Sequence, residues 1–385
     1  MRNNQEIRLF SFLLFLLVPL VCSRQHTVAQ QEPSKKEPPV VVPSNAKELP
    51  KNWPWRGICI QSENSTPEDI DYLASVGVNF VRIQVKPSIR CKREKGDPKK
   101  CFYDELLWAE KMLDACKRNG ITSLIAFNHL VLDPQKEIDD KSEEFWSDKS
   151  YADSTMRMVA ILADRFKNRG DELSAYEVIG EPAVQQKGGA KVPPGLENFF
   201  RRTLQTIRKY DRERWFLLTP GPWGRPTNYA GFTPFAIEDA RLIYGAHMYL
   251  PDPFTHQGIK KRERGYTYPG TIKGENWNRS TIENRFAALK KFEKTYGYPV
   301  YVGEFQATRW SPGAELWVKD VLETCDQYTW SWSMFAFEAG TEAWDPYFDV
   351  ANKTSPSEEW NIQYVGPETP LWKYMLTQFA RNRKK

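Results

Sequence analysis

Strand-like and helix-like segments alternate along most of this 385-residue chain, and that alternation limits the folds open to it. Short apolar runs separated by amphipathic segments are typical of strand–helix–strand units with parallel strands. We predict eight strands, at residues 56–60, 79–85, 122–127, 175–179, 214–219, 242–248, 299–303 and 328–335. Eight such units favour an α/β fold closed into a (β/α)8, or TIM, barrel, which typically takes about 250 residues.

Helix start and stop signals fall between the predicted strands. Thr66-Pro67-Glu68-Asp69 supplies a capping hydroxyl, a proline for the first turn and two acids, and Gly120 ends a later helix. We expect a helix after each strand, including a short one at 234–240. An open doubly wound sheet is the alternative architecture, but no glycine-rich phosphate loop follows the first strand.

The first 50 residues differ in composition from the rest of the chain. Arg2 and Arg8 precede an apolar run that is short for a bilayer span, which indicates a secretory signal peptide over residues 1–23. Residues 24–50 are rich in Pro, Lys and Glu, as linkers are, so a single barrel domain should cover residues 51–385. We therefore expect a secreted or periplasmic protein. A lipid anchor at Cys22 is the alternative.

The charge and composition of the chain limit the classes of molecule that it is expected to bind. The net charge of +5 is small against 54 basic and 49 acidic residues, so nothing indicates nucleic acid. We expect a monomer with no membrane span in the mature chain, no metal site and no cofactor. The cysteines beyond the signal peptide are Cys59, Cys91, Cys101, Cys116 and Cys325. Cys91 and Cys101 bracket a polar loop, and either a disulfide or two free thiols would suit them.

Polar residues stand where the apolar runs of the predicted strands stop. In a (β/α)8 barrel those carboxyl ends share one mouth, where catalytic residues lie. The fourth and seventh strands end in Glu181 and Glu304, and two carboxylates facing one cleft are able to cleave a glycosidic bond. The other candidates at this mouth are Arg82, Asn128, His129, Gly180, His247, Tyr249 and Trp332. Their convergence favours an enzyme over a set of unrelated polar residues.

From about residue 51 to 380 the chain resembles glycoside hydrolase family 5, the cellulase family. Gly180-Glu181-Pro182, after Tyr176-Glu177-Val178-Ile179, resembles the Asn-Glu-Pro of strand four in that family. Gly303-Glu304-Phe305 resembles its strand-seven nucleophile segment, and His247-Met248-Tyr249-Leu250-Pro251 resembles strand six. The order of these motifs is more specific than any one of them.

The resemblance implies a retaining glycosidase that acts on β-linked glycans, with Glu181 as the general acid/base and Glu304 as the nucleophile. Arg82 and Tyr249 would hold Glu304 ionised through hydrogen bonds. His129 and His247 would line the sugar next to the scissile bond, and Asn128 and Gly180 are further substrate-binding candidates. Trp332 would be the stacking platform under that sugar, with Trp330 and Phe335 as competitors. A β-1,4-glucan resembling cellulose is the expected substrate, with mannan as an alternative.

Gly180 departs from the family pattern. The family asparagine at this place contacts the sugar 2-hydroxyl, so Asn128 or water would take over, or activity would fall, or the preferred sugar would differ at C2. A non-catalytic or weakly active carbohydrate-binding protein on the same scaffold is therefore an alternative. A metal-dependent hydrolase using His129, His247 and an acid is a third reading, which the presence of only four histidines disfavours.

Overall fold

The computed structural model describes residues 49–128, 140–338, 343–350 and 362–384, and the structural statements below concern those residues alone. The predicted signal peptide, the predicted linker up to residue 48 and His129 lie outside them. In the described part, eight parallel strands form a closed barrel. The predicted (β/α)8 fold is therefore confirmed.

The barrel strands follow one another around the ring in chain order, and the last pairs with the first to close it. They are β1 (Arg56–Gln61), β2 (Phe80–Val85), β3 (Thr122–Phe127), β4 (Leu173–Val178), β5 (Trp215–Leu218), β6 (Leu242–Met248), β7 (Val300–Phe305) and β8 (Ser331–Met334). Small hairpins outside the barrel join Val184–Gln186 to Gly189–Lys191, Gly270–Ile272 to Glu275–Trp277, and Phe348–Val350 to Ile362–Tyr364.

Helices pack around the outside of the strands. They are α1 (Pro67–Ser75), α2 (Pro87–Glu94), α3 (Pro98–Asn119), α4 (Glu143–Ser147), α5 (Lys149–Phe166), α6 (Leu196–Arg208), α7 (Asp252–Thr255), α8 (Arg279–Tyr296), α9 (Ala314–Gln327) and α10 (Pro370–Phe379). None of the helices in the described ranges combines the length and the apolar character that a bilayer crossing needs.

The helix predicted at 234–240 is absent, and a short 3-10 turn at Pro226–Tyr229 lies between β5 and β6 instead. Tertiary packing explains the difference. The backbone N–H of Phe235 donates to the hydroxyl of Tyr244 at 3.0 Å, and the Phe235 ring stacks on the same tyrosine. Contacts with the barrel therefore determine the conformation of this segment, and local helix propensity does not.

Local signals do explain how the longer helices begin and end. The backbone N–H of Thr66 donates to the carboxylate of Asp69 at 2.7 Å, which completes a capping box at the start of α1. The Asp97 side chain accepts from the N–H of Lys100 at 2.9 Å and caps α3. Gly120 ends α3 with a φ of 66°, a left-handed conformation that glycine adopts without strain.

Two apolar layers hold the barrel together. The larger lies between the strands and the helices and includes Trp332 and Phe379. The smaller fills the inside of the barrel and consists of Trp55, Phe80, Leu124, Ala126, Ala175, Leu217, Ile243 and Tyr301. Closer to the carboxyl ends of the strands, Arg82, Glu177 and His247 are buried polar groups. The inner cluster thus forms an apolar floor beneath a polar mouth.

An irregularity in β7 orients its glutamate. Tyr301 pairs with Gly245 of β6 and Glu304 pairs with His247, so Gly303 is an extra residue in this strand. Side chains alternate between the two faces of a strand, and alternation from the inward-facing Tyr301 would turn Glu304 toward the helices. The extra residue reverses that order, and Glu304 faces the barrel interior.

The cysteines of the described residues are all free thiols, including Cys91 and Cys101. The Cys91 thiol donates to the carbonyl of Gly96 at 3.0 Å. Burial raises the pKa of the Cys101 thiol to about 12, with a further contribution from its contact with Cys91. Cys91 and Cys101 are therefore two free thiols in this structure, and they do not form a disulfide.

Candidate active site

Glu181 and Glu304 meet at the carboxyl ends of β4 and β7. An oxygen of each carboxylate and a ring nitrogen of His247 lie within 4.8 Å of one another. The glutamate side chains keep 29% and 13% of their surface exposed, so both reach the mouth. Retaining glycosidases place their carboxyl groups about 5–5.5 Å apart, whereas inverting ones need roughly 6.5–9.5 Å to seat a water molecule. The oxygens of Glu181 and Glu304 are closer together than the inverting arrangement requires.

Three side chains donate hydrogen bonds to Glu304. Arg82 Nη1 and Gln84 Nε2 donate to Oε1 at 2.6 and 2.9 Å, and the Tyr249 hydroxyl donates to Oε2 at 3.0 Å. Burial alone would raise the pKa of the Glu304 carboxyl, but the charges of His247 and Arg82 and the Tyr249 hydrogen bond lower it below its usual value. Glu304 is therefore held as a carboxylate, as a nucleophile requires.

Arg82 joins two carboxylates beneath the mouth. Its side chain is completely buried, and its Nε donates to Glu177 Oε2 at 2.7 Å while its Nη1 donates to Glu304. Burial would lower the pKa of Arg82, but the charges of Glu177 and Glu304 raise it well above its usual value. The sequence predicted the contact of Arg82 with Glu304, but not the second carboxylate.

His247 lies between the two catalytic candidates. Its Nδ1 is 2.9 Å from Glu181 Oε1 and 3.9 Å from Glu304 Oε2. Its Nε2 is 3.9 Å from Glu177 Oε1, so three carboxylates surround one buried ring. Burial would lower the pKa of His247, but the charges of Glu304 and Glu181 raise it. The histidine thus orients Glu181, and the charges of the two glutamates favour its protonated form.

Glu181 is positioned by a sharp turn at the end of β4. Ile179 has a φ of 57°, which for a β-branched residue costs about 1–3 kcal/mol. The turn is held by hydrogen bonds on both sides: the Ile179 N–H donates to a β3 carbonyl at 3.0 Å, and the Gly180 N–H donates to Asn128 Oδ1 at 2.8 Å. Lys141 Nζ donates to the Glu181 carbonyl at 2.6 Å. Asn128 therefore supports the backbone that carries Glu181.

Gly180 leaves space that Glu177 fills. A Cβ atom at position 180 would lie 2.3 Å from Glu177 Oε1 and 3.0 Å from Arg82 Nη2, both closer than ordinary contact. In the described part of the chain, those two buried atoms have no hydrogen-bond partner. An asparagine at 180 would require Glu177 to move within its ion pair with Arg82. The departure from the family motif is thus linked to this buried pair.

Trp332 does not line the mouth, and its predicted role as a stacking platform is wrong. Its side chain is fully buried in the outer apolar layer, where its ring centroid lies 6.1 Å from Phe305 and 5.9 Å from Phe379. Its neighbour Ser333 faces inward and donates to the Gly303 carbonyl at 2.7 Å. Because adjacent side chains on a strand face opposite sides, choosing Trp332 selected the wrong face.

An aromatic cluster that the sequence reasoning missed lies beside Tyr249, the residue that donates to Glu304. Trp344, half-buried in the segment after β8, has its ring centroid 5.9 Å from Tyr249 and 5.0 Å from His256. Phe335, one of the predicted competitors, is also half-buried and lies 6.3 Å from Trp344. Trp344 lies beyond the last predicted strand, so strand periodicity offered no signal for it. The two rings are half-buried and therefore keep part of their apolar surface open.

Glu181, His247 and Glu304 are close enough to offer three ligand atoms to one metal ion. Their surroundings fit that role poorly. Both Glu304 oxygens already accept hydrogen bonds, and the positive guanidinium of Arg82 touches one of them. A divalent cation would meet that charge directly. The arrangement favours acid–base and nucleophilic chemistry.

Curated relatives resemble part of the chain. Endoglucanase C of Acetivibrio thermocellus is 24% identical over 210 residues, which are 54% of this chain and 57% of that protein. Endoglucanase C307 of Clostridium sp. (strain F1) matches with the same identity and coverage. The chain thus spans little more than half the length of these relatives.

Solved structures share the fold over most of the chain. Thermotoga maritima Cel5A in complex with cellobiose has a TM-score of 0.61, covering 85% of this chain and 98% of that one at 19% identity. The cellulose synthase subunit Z of Clostridioides difficile has a TM-score of 0.59, covering 87% and 97% at 18% identity. The model of the cellulase family (glycosyl hydrolase family 5) matches residues 43–341. This chain therefore belongs to glycosyl hydrolase family 5.

Proposed function

We propose that this protein is a retaining glycosidase that cleaves β-linked glycans by double displacement, with Glu181 as acid/base and Glu304 as nucleophile. The observation that carries the proposal is the short separation of the two carboxylates, within 4.8 Å. The different partners of the two glutamates support the assignment of roles. Glu304 accepts from Arg82 and Tyr249, whereas Glu181 is paired with His247. Family membership and the endoglucanase relatives support a β-glycan substrate.

In the first step, Glu304 attacks the anomeric carbon while Glu181 gives its proton to the departing glycosidic oxygen. The C–O bond to the leaving group breaks, and an ester joins the sugar to Glu304. In the second step, Glu181 takes a proton from water, the hydroxide oxygen bonds to the anomeric carbon, and Glu304 leaves as a carboxylate. Two inversions at one carbon restore the β configuration. Arg82 and Tyr249 would stabilise the departing carboxylate charge.

A β-1,4-glucan is the proposed substrate class, and the sugar next to the scissile bond is proposed to rest on Trp344 and Phe335. Mannan is the second candidate. Thermotoga maritima Cel5A, which shares the fold at 19% identity, has solved structures with cellobiose and with mannotriose. The replacement of an asparagine by Gly180 removes a side chain near the sugar C2 carbon, where glucose and mannose differ.

The proposal predicts that the first product carries the β configuration. Carboxymethylcellulose, mixed-linkage glucan and glucomannan would be digested, and proton NMR would follow the anomeric signals from the first minutes. We expect the β signal to appear first and the α signal to grow only by mutarotation. An initial α product would mean inversion and would contradict the double displacement. Binding to these glycans without release of any sugar would favour the carbohydrate-binding alternative.

We also propose that the protein acts outside the cytoplasm, secreted or periplasmic, and as a monomer. The support for the location is the charged and apolar start of the chain, Arg2 and Arg8 followed by the apolar run to Val21. Mass spectrometry of the N-terminal peptide from the exported protein would test it. An intact Met1 in the active protein would contradict cleavage near residue 23.

A further inference from the structure

Gln84 contacts the nucleophile, yet the double displacement described above gives it no task. We propose that Gln84 recognises the 2-hydroxyl group of the sugar that becomes bound to Glu304, and so determines which sugars react quickly. This inference rests on the proposed function, because it requires Glu304 to bond to the anomeric carbon. In this role, a side chain of β2 contacts the substrate directly.

The position of Gln84 on β2 places it on the substrate side of Glu304. Gln84 lies two residues beyond Arg82, and the two therefore face the same side of the strand. At about 3.3 Å per residue, Gln84 lies roughly 7 Å closer to the mouth than Arg82. Both donate to the same oxygen, Glu304 Oε1. Arg82 thus holds the carboxylate from the barrel floor and Gln84 holds it from the mouth.

The chemistry of attack brings the 2-hydroxyl to this place. Glu304 bonds to C1, and the hydroxyl is carried by the adjacent carbon, so it lies beside the carboxyl group. Gln84 Nε2 is already 2.9 Å from Glu304 Oε1. When Glu304 becomes an ester it loses its negative charge, and the charge-assisted hydrogen bond from Gln84 weakens. That donor then becomes available to the neighbouring hydroxyl.

Of the three groups that donate to Glu304, Gln84 is the one whose chemistry best suits binding of a hydroxyl group. Arg82 has only donors and is 0% exposed, whereas Gln84 keeps 4% of its surface exposed. Tyr249 bonds the other oxygen, Oε2. A carboxamide carries two N–H donors and a carbonyl acceptor, so it has the means both to donate to a hydroxyl and to accept from it.

The surroundings leave this task to Gln84. Gly180 has no side chain to offer, and Asn128 uses its Oδ1 to hold the Gly180 backbone. The residue opposite Gln84 on β3 is Ala126, whose side chain has no polar group to offer the sugar. Contacts to the 2-hydroxyl strengthen in the oxocarbenium-like transition state. A single well-placed amide therefore affects the rate more than substrate binding.

The test compares two substrates that differ only in that hydroxyl. We would measure kcat/KM of the full-length wild type and of Gln84→Ala on dinitrophenyl β-cellobioside. The second substrate is the same compound without the 2-hydroxyl on the ring that bears the leaving group. We expect Gln84→Ala to lower kcat/KM on the first substrate by about 10–100-fold, because the contact with the 2-hydroxyl stabilises the transition state. On the second substrate we expect a loss of less than about threefold, because the contact no longer exists.

Matched variants separate this contact from a structural effect. Gln84→Met keeps the side-chain length without the amide, and it should repeat the selective loss if Gln84→Ala folds poorly. Gln61→Ala is the control, because Gln61 pairs with Gln84 in register on β1 and bonds Lys86 instead of Glu304. We expect it to change both substrates equally and by less than about threefold.

The outcomes distinguish the inference from the function on which it rests. An equal loss on both substrates in Gln84→Ala and Gln84→Met would overturn recognition of the 2-hydroxyl and leave Gln84 as a support for Glu304. No loss on either substrate would overturn any role for Gln84. In both cases the wild type would still turn over its substrate by retention. A wild type that hydrolyses neither compound would instead overturn the proposed function.

Discussion

Replacement of Glu304 by alanine is expected to lower kcat/KM on β-glycans by about four orders of magnitude or more, because the covalent intermediate cannot form. The truncation opens space beside C1 that azide is small enough to enter. With dinitrophenyl β-cellobioside, whose leaving group needs no acid, azide should attack C1 from the side that Glu304 occupied. The expected product is the α-glycosyl azide, identified by NMR after chromatography.

The matching variant Glu181→Ala should give the opposite product. With the same activated substrate the ester on Glu304 still forms, but no base remains to activate water. Azide then attacks from the face that the leaving group vacated, and the product is the β-glycosyl azide. The control is Glu263→Ala, an exposed glutamate paired with Lys273, for which we expect activity within about twofold of wild type. A β-azide from Glu304→Ala, or near-normal activity in that variant, would refute the assignment of roles.

Replacement of Arg82 by methionine is expected to lower the free energy of unfolding by about 3–5 kcal/mol, because two buried carboxylates lose their shared counter-ion. Arg82 is 0% exposed, and the side chain of its partner Glu177 is 1% exposed, so water is in no position to replace the lost bonds. Urea denaturation followed by tryptophan fluorescence would measure the change. A double variant, Arg82→Met with Glu177→Gln, should recover part of the loss because one unpaired charge is removed.

The same Arg82 variant should alter the pH dependence of activity. Arg82 contributes to the lowered pKa of the Glu304 carboxyl, so its removal raises that pKa. Activity requires ionised Glu304 and falls as the pH falls through its pKa. The acidic limb of the kcat/KM profile should therefore move to higher pH in Arg82→Met. An unchanged acidic limb together with unchanged stability would contradict the bridging role of Arg82.

The fold and the position of the mouth were predictable because they depend on patterns that repeat. Eight alternating strand and helix signals led to the closed barrel, and polar residues at strand ends led to its catalytic mouth. Glu181, Glu304, Arg82 and Tyr249 were found in this way because each follows or interrupts an apolar run. Their mutual distances were beyond prediction, since those depend on the closure of the whole ring.

Residues whose role depends on strand register were predicted less well. Trp332 was assigned to the mouth, but it faces the helices because the eighth strand is short and its ends were uncertain by more than one residue. Gln84 was missed although it shares a face with Arg82 and interrupts the same apolar run, because its amide carries no charge that would mark it as a partner for a carboxylate. Trp344 was missed because it belongs to a segment after the last barrel strand, and only the path of that segment brings it to Tyr249.

The extra residue at Gly303 restricts how a barrel of this kind is able to change over time. Insertions in the loops that follow the strands leave the direction of every strand side chain intact, so the rim is free to diversify. Regular pairing of β7 with Gly303 kept in register would instead turn the nucleophile toward the helix layer, so a change that removed the bulge without removing a residue would abolish activity while sparing the fold. Loop length and strand pairing are thus under very different constraints within the same chain.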